Sequence, residues 1–179
     1  MTDGEAPLTL TLDLRALDVS VGGARALDVR TTIEPLALGG QTYVCEPTDP
    51  ELRFDAVRPL SGWHLRIRGD VDLVGPCWRC LEDARMAVAI DATEIDDPSA
   101  GDPELVSAFI DRGQLDLALW ARDAVAEAMP AAIVCRDDCA GLCPSCGTDL
   151  NTASCDCTTT PTDHRWAALA DVAARLKDD

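Results

Sequence analysis

The sequence predicts an α+β protein. Residues 1–130 read as an antiparallel β-sheet domain with one helix, and residues 131–179 as a small cysteine-rich module with a C-terminal helix. Three observations predict this. Apolar and polar residues alternate in short runs through the N-terminal half, the period of half-buried strands. A 3.6-residue apolar period appears in two later stretches, each opening on an aspartate. Between those stretches, six of the nine cysteines crowd into Cys135–Cys157.

The first run, Leu8-Thr9-Leu10-Thr11-Leu12-Asp13-Leu14, alternates without a break and places four leucines on one strand face. Gly22-Gly23 marks a turn. Leu27, Val29, Thr31 and Ile33 alternate next, as do Leu52 and Phe54 with Arg53 and Asp55 opposite. Gly39-Gly40 and the stretch from Pro47 to Pro50 punctuate between them. The longest strand signal runs from Gly62 to Leu73. Trp63, Leu65, Ile67, Val71 and Leu73 share one face; His64, Arg66, Arg68, Asp70 and Asp72 share the other. After Gly75-Pro76-Cys77-Trp78-Arg79-Cys80 a second run places Met86, Val88 and Ile90 on one side. The pair predicts a hairpin whose turn is a C-x2-C knuckle.

From Asp91 to Asp111 acids dominate, and Pro98, Ser99, Gly101 and Pro103 interrupt. The expectation is an exposed, mobile acidic segment with a short helical attempt at Glu104–Ile110. Asp116 is the predicted N-cap of a helix over Leu117–Met129. Leu117, Trp120, Ala121, Ala124, Val125 and Ala128 form its apolar stripe, and Pro130 stops it. After the cysteines comes a polar linker, Thr158–Thr162. Asp163 then caps a last helix striped by Trp166, Leu169, Ala170, Ala173 and Leu176.

Composition bounds the function. The chain has 179 residues, 47% of them hydrophobic, which is enough for a core. No apolar run approaches the ~20 residues of a membrane helix. Met1-Thr2-Asp3-Gly4-Glu5 has neither a basic nor an apolar region, so a cytoplasmic chain without a signal peptide is expected. A net charge of -17 argues against a general nucleic-acid binder, whose phosphate contacts need surplus Lys and Arg. No Ser-His-Asp or Cys-His constellation and no phosphate-cradling glycine loop is visible. The expectation is a protein that is not an enzyme and takes no small-molecule substrate.

The cysteines carry the chemistry. Eight fall into four close pairs: Cys77/Cys80, Cys135/Cys139, Cys143/Cys146 and Cys155/Cys157. In Cys143-Pro144-Ser145-Cys146-Gly147, a tight turn aims two sulfurs at one point and glycine relieves the backbone as it doubles back. Four thiolates at ~2.3 Å from one Zn²⁺ make a closed, structural site. Such ligation supplies ~10–16 kcal/mol of folding free energy to a small module. A disulfide framework suits neither the odd cysteine count nor the absence of a secretory leader. Two zinc sites are therefore expected. The preferred partition joins Cys143, Cys146, Cys155 and Cys157 in one, and Cys77, Cys80, Cys135 and Cys139 in a second that staples the sheet to the module. Iron in place of zinc would mean a rubredoxin-like electron carrier. Cys45 is left over and reads as a small buried hydrophobe. Arg66 and Arg68 share a polar strand face and are candidate RNA or partner contacts, against a solvated face balanced by Asp70 and Asp72. His64 and His164 read as surface residues.

With these motifs in order, the chain resembles the YceD-like family, the large ribosomal RNA subunit accumulation proteins. The resemblance is carried by Cys77-Trp78-Arg79-Cys80 after a long strand, a helix ending at Pro130, the run from Cys135 to Asn151, Cys155-Asp156-Cys157, and Asp163, Arg165 and Leu169. It implies a cytoplasmic, non-enzymatic protein needed for normal levels of large-subunit ribosomal RNA. The acidity then points to a basic ribosomal protein as partner, with Asp91–Asp111 imitating phosphate. A large-subunit ribosomal RNA precursor is the other candidate partner. A zinc-thiolate redox sensor is the alternative function, and a zinc-ribbon transcription factor a third.

Overall fold

A computed structural model describes residues 8–157 and Leu169. The expected C-terminal helix, its cap Asp163, and His164 lie outside the described residues apart from Leu169.

The expected hairpin forms the axis of the fold. Strands β6 (Trp63–Pro76) and β7 (Asp83–Asp96) are each 14 residues long and pair antiparallel from Trp63↔Asp96 to Pro76↔Asp83. Strand β7 therefore takes one whole edge of β6. The other edge is shared. Strand β5 (Glu51–Val57) pairs with the first half, from Val57↔His64 to Arg53↔Arg68. Strand β4 (Gln41–Glu46) pairs with the second, from Glu46↔Asp72 to Val44↔Val74. Strand β2 (Ala24–Arg30) extends the sheet from β5, and β3 (Leu36–Leu38) extends it from β4. The turn between β3 and β4 is two glycines, Gly39 at φ 58° and Gly40 at φ 82°. Two successive left-handed residues are what a two-residue hairpin with the native strand twist requires.

Period-two patterning decides which face is buried. Trp63, Leu65, Ile67, Val71 and Leu73 of β6 are all buried, as are Leu52, Phe54 and Ala56 of β5 and Val88 and Ile90 of β7. Each of the buried Leu, Ile, Val and Phe side chains is worth roughly 1.5–3 kcal/mol of transfer free energy. Helix α1 (Leu117–Ala128) covers this face. The Asp116 carboxylate accepts a hydrogen bond from Leu119 N, and Leu117, Trp120, Ala121, Ala124 and Val125 are buried. The Trp120 ring meets Phe54 edge-on at 6.5 Å and lies tilted against Phe109 at 6.4 Å. Such aromatic pairs add to simple area burial.

Two expectations change. The Leu8–Leu14 run is not one strand. Strand β1 spans Thr11–Asp13 only and belongs to a small second sheet, ordered β1-β9-β8, with β8 at Ile110–Asp111 and β9 at Gln114–Asp116. Leu8 makes an isolated parallel bridge to Arg30 and stays exposed, as does Leu10. The reason is local: the Asp13 carboxylate accepts from Arg15 N and turns the chain into a 3₁₀ helix at Leu14–Leu17, which buries Leu14 and Leu17 instead.

The acidic segment is also more structured than expected. Its first six residues complete β7. Beyond them the carboxylates serve as local acceptors. Asp96 is buried and accepts from Ser107 N; Asp97 accepts from Ser61 Oγ and from Ser99; Asp102 accepts from Glu104 N. Short 3₁₀ turns at Pro98–Ala100 and Pro103–Leu105 replace the expected helical attempt, because proline at the first position and an aspartate cap favour a single turn.

Candidate metal centres

The β6–β7 turn is the first half of one centre. Cys77 N donates to Glu82 O and Leu81 N to Cys77 O, so the turn closes on itself and aims Cys77 and Cys80 inward. The chain returns after α1 along this turn: Trp78 N donates to Ile133 O, and Leu142 N to Arg79 O. That return brings in Cys135 and Cys139. Sulfur separations are 3.9 Å for Cys77–Cys139 and 3.7 Å for Cys80–Cys135. All four sulfurs lie within 4.8 Å of one another. A disulfide would need about 2.05 Å. Four sulfurs at ~2.3 Å from one ion, at tetrahedral corners, sit about 3.8 Å apart. The spacing therefore fits one shared metal ion.

The surroundings favour a thiolate at Cys77. Arg79 N and Cys135 N approach Cys77 Sγ at 3.4 and 3.3 Å, and Asn151 Nδ2 approaches Cys139 Sγ at 3.5 Å. Burial opposes ionisation of Cys77, but backbone N–H groups of Cys80, Cys135 and Arg79 outweigh it and hold the thiol down at about 6. Desolvation of its sulfur, with hydrogen bonds to Cys139 and Cys80, pushes Cys135 up to about 12. Protons are thus shared unequally around the group, and a divalent cation would displace those that remain. Cys77, Cys80 and Cys139 belong to the same buried cluster as the sheet residues, so this centre sits at one end of the hydrophobic core.

The second group is Cys143, Cys146, Cys155 and Cys157, again with all four sulfurs within 4.8 Å. Its knuckle has the expected form. Gly147 N donates to Cys143 O at 2.9 Å, Cys143 N donates to Thr148 O at 2.8 Å, and Gly147 takes φ 73°, which a residue with a side chain rarely adopts. The Thr148 hydroxyl lies 3.1 Å from Cys146 Sγ. That hydroxyl and the Thr148 amide, with neighbouring cysteines, hold Cys146 down at about 6. Hydrogen bonding to Cys146 and Cys143 pushes Cys157 up to about 12. Cys143 is buried and Cys146 exposed, so this group stands nearer the solvent than the first. Each of the two groups could hold a metal ion.

Sequence reasoning missed the roles of three residues. Asn151 links the groups: its Oδ1 accepts from Arg136 Nη2 at 2.7 Å and Ala140 N at 2.8 Å, while its Nδ2 faces Cys139. Asp149 fixes it, accepting from Asn151 N and Nδ2. Arg79 spends its guanidinium on the carbonyls of Asp137 and Cys139. The signal was present in the chain, since Arg79 sits inside a C-x2-C pair and Asn151 just beyond one, but only folding shows what each touches.

The remaining candidates have different surroundings. Arg66 makes a bidentate pair with Asp91 at 2.7 and 2.6 Å, and Arg68 pairs with Asp55 at 2.6 Å. Their partners are cross-strand aspartates rather than Asp70 and Asp72. Arg53 with Asp28 and Arg85 with Asp72 and Glu46 continue the same exposed ladder. Cys45 is fully buried opposite Leu73, and burial pushes its thiol up to about 11. His64 is exposed and stands apart from both cysteine groups.

Among the described residues no helix is long and apolar enough to cross a membrane. No solved structure matches the chain. Uncharacterized proteins of Mycobacterium bovis and of two Mycobacterium tuberculosis strains are 38% identical over 84 residues, covering 43% of this chain and 40% of theirs. The chain thus spans well under half the length of these curated relatives. A family described as large ribosomal RNA subunit accumulation protein YceD matches residues 64–173, a stretch holding all eight paired cysteines and the β6–β7 hairpin apart from Trp63. That match covers well over half of the sequence, and the chain belongs to the YceD family.

Proposed function

We propose that this protein is a zinc-stabilised, non-enzymatic binding protein acting in large ribosomal subunit assembly, where it sustains accumulation of the large-subunit RNA. The observation that carries the reading is the pair of four-sulfur groups within a chain of this family. Four thiolates around one zinc leave no open coordination position, so the metal would hold shape rather than activate water. Cys77, Cys80, Cys135 and Cys139 would hold one ion, and Cys143, Cys146, Cys155 and Cys157 the other. The chain would work in the cytoplasm on a ribosomal protein or a large-subunit RNA precursor. A net charge of -17 favours a basic ribosomal protein as the larger contact.

The test is co-purification of the tagged chain from cells and sedimentation of the eluate. Travel with large-subunit precursors, lost when the cysteines of either group become serine, is the expected result. Recovery free of ribosomal material would refute the reading. A zinc-thiolate redox sensor is the second reading, favoured by the exposure of Cys135 and Cys146. Retention of both metals under mild peroxide would eliminate it.

A further inference from the structure

The described cations of this acidic chain are almost all spoken for. Among the described residues, Arg30, Arg53, Arg66, Arg68, Arg85, Arg112, Arg122 and Arg136 each have a carboxylate within ion-pairing distance. Arg25 and Arg79 donate to backbone carbonyls. Arg15 and Arg58 have neither, and both line one cleft of about 280 Å³ beside Trp63. Two guanidiniums without a carboxylate in ion-pairing distance thus share one cleft in a molecule of charge -17, where free cations are scarce.

The cleft is a fixed arrangement. Arg58 N donates to Gly23 O at 3.0 Å, and Arg58 O accepts from Gly22 N at 2.7 Å, so its backbone is locked to the Gly22-Gly23 turn. Its guanidinium lies 4.5 Å above the Trp63 ring, which holds the plane without consuming its donors. Arg15 is carried on the 3₁₀ helix at Leu14–Leu17. Ser20 lines the same cleft. Asp18 lies on the lining but makes no ion pair with either arginine. Asp96 and Asp97 line the adjoining cleft with the same two arginines, but they accept from Ser107 N and from the Ser61 and Ser99 hydroxyls and pair with neither arginine.

We propose that the Arg15–Arg58 cleft is a phosphate-binding site through which the protein grips the backbone of single-stranded RNA. This rests on the ribosomal reading above and deepens it by naming an RNA contact. Guanidiniums present paired N–H donors that match phosphate oxygens. Trp63 is 6% exposed, so the site would read phosphate rather than stack a base. Arg66 and Arg68 are the contrast: exposed, as Arg15 is, but already paired to Asp91 and Asp55.

The experiment uses the full zinc-loaded chain and a short fluorescein-labelled single-stranded RNA, with binding followed by anisotropy across a salt series. The expected result for Arg15→Glu with Arg58→Glu is affinity about tenfold weaker and a salt slope flatter by about 1.4, two phosphate contacts at about 0.7 each. Arg66→Glu with Arg68→Glu should leave both quantities near wild type. Because Arg58→Glu also removes a contact to Trp63, Arg58→Lys is the folding control; it keeps charge and should retain most of the affinity. Unchanged binding by the Arg15/Arg58 variant overturns the inference, as does an equal loss in the Arg66/Arg68 variant or no RNA binding by wild type. Wild-type chain that sediments with large-subunit precursors yet binds no RNA would sink this site alone; absence from precursors would sink the ribosomal reading.

Discussion

Asn151 shows how one side chain can join two loops. It receives from Arg136 and Ala140, and gives toward the Cys139 sulfur. Groups that orient metal ligands from behind are typically worth 10–100-fold in metal affinity. Asn151→Ala is therefore expected to lower zinc affinity at the Cys77/Cys80/Cys135/Cys139 centre by about that factor, measured by chelator competition, with Asn151→Asp intermediate. Gly39 is a second residue with a sharp requirement. It takes φ 58°, and an added Cβ would fall 2.1 Å from Trp78 Cζ3. Gly39→Ala should cost at least about 1–3 kcal/mol, read as a lowered denaturation midpoint, because strain at positive φ and the displaced indole act together. Gly40, with open space around its missing Cβ, should suffer only the backbone term.

At the level of elements, α1 is where prediction and fold agree most closely. Its cap and most of its stripe were written in the local pattern, since Asp116, Leu117, Trp120, Ala121, Ala124 and Val125 need only the helical period to be placed, while Ala128, expected on the same stripe, is exposed at the last turn. Asp116→Ala should destabilise by about 0.5–2 kcal/mol in thermal unfolding, the usual cost of a lost N-cap. Trp120→Ala should cost about 3–5 kcal/mol, since the ring packs on both Phe54 and Phe109. The β1 region and the acidic segment went the other way. Alternation over Leu8–Leu14 was genuine, but Asp13 captured the backbone and ended the strand. Acids at Asp96, Asp97 and Asp102 looked like solvated charge, yet each found a local N–H or hydroxyl. A short polar side chain competing for nearby donors leaves little trace in hydropathy.

For the molecule as a whole, one of the two cysteine groups brings the returning chain against the sheet hairpin. Cys77 and Cys80 sit in the β6–β7 turn, while Cys135 and Cys139 follow α1, so one ion would close a long loop through the core. Two zinc ions per chain are the expected content by native mass spectrometry. Removal by a strong chelator should expose the amides of Leu142, Cys143 and Leu150 to hydrogen exchange, while the β6–β7 amides between Leu65 and Val71 exchange last. A chelated chain that keeps all of these amides protected would show that packing, not metal, shapes residues 131–157.

Read along the chain, the residues settle the long hairpin, the helix with its cap and the grouping of eight cysteines into four close pairs. Each of these depends on neighbours a few positions apart, where period and turn chemistry are strong. The split of one β6 edge between β5 and β4, the small β1-β9-β8 sheet, the Asn151 link and the isolation of Arg15 and Arg58 needed the folded molecule. They depend on which distant side chains meet across strands, and an arginine that has found its aspartate looks in sequence the same as one that has not.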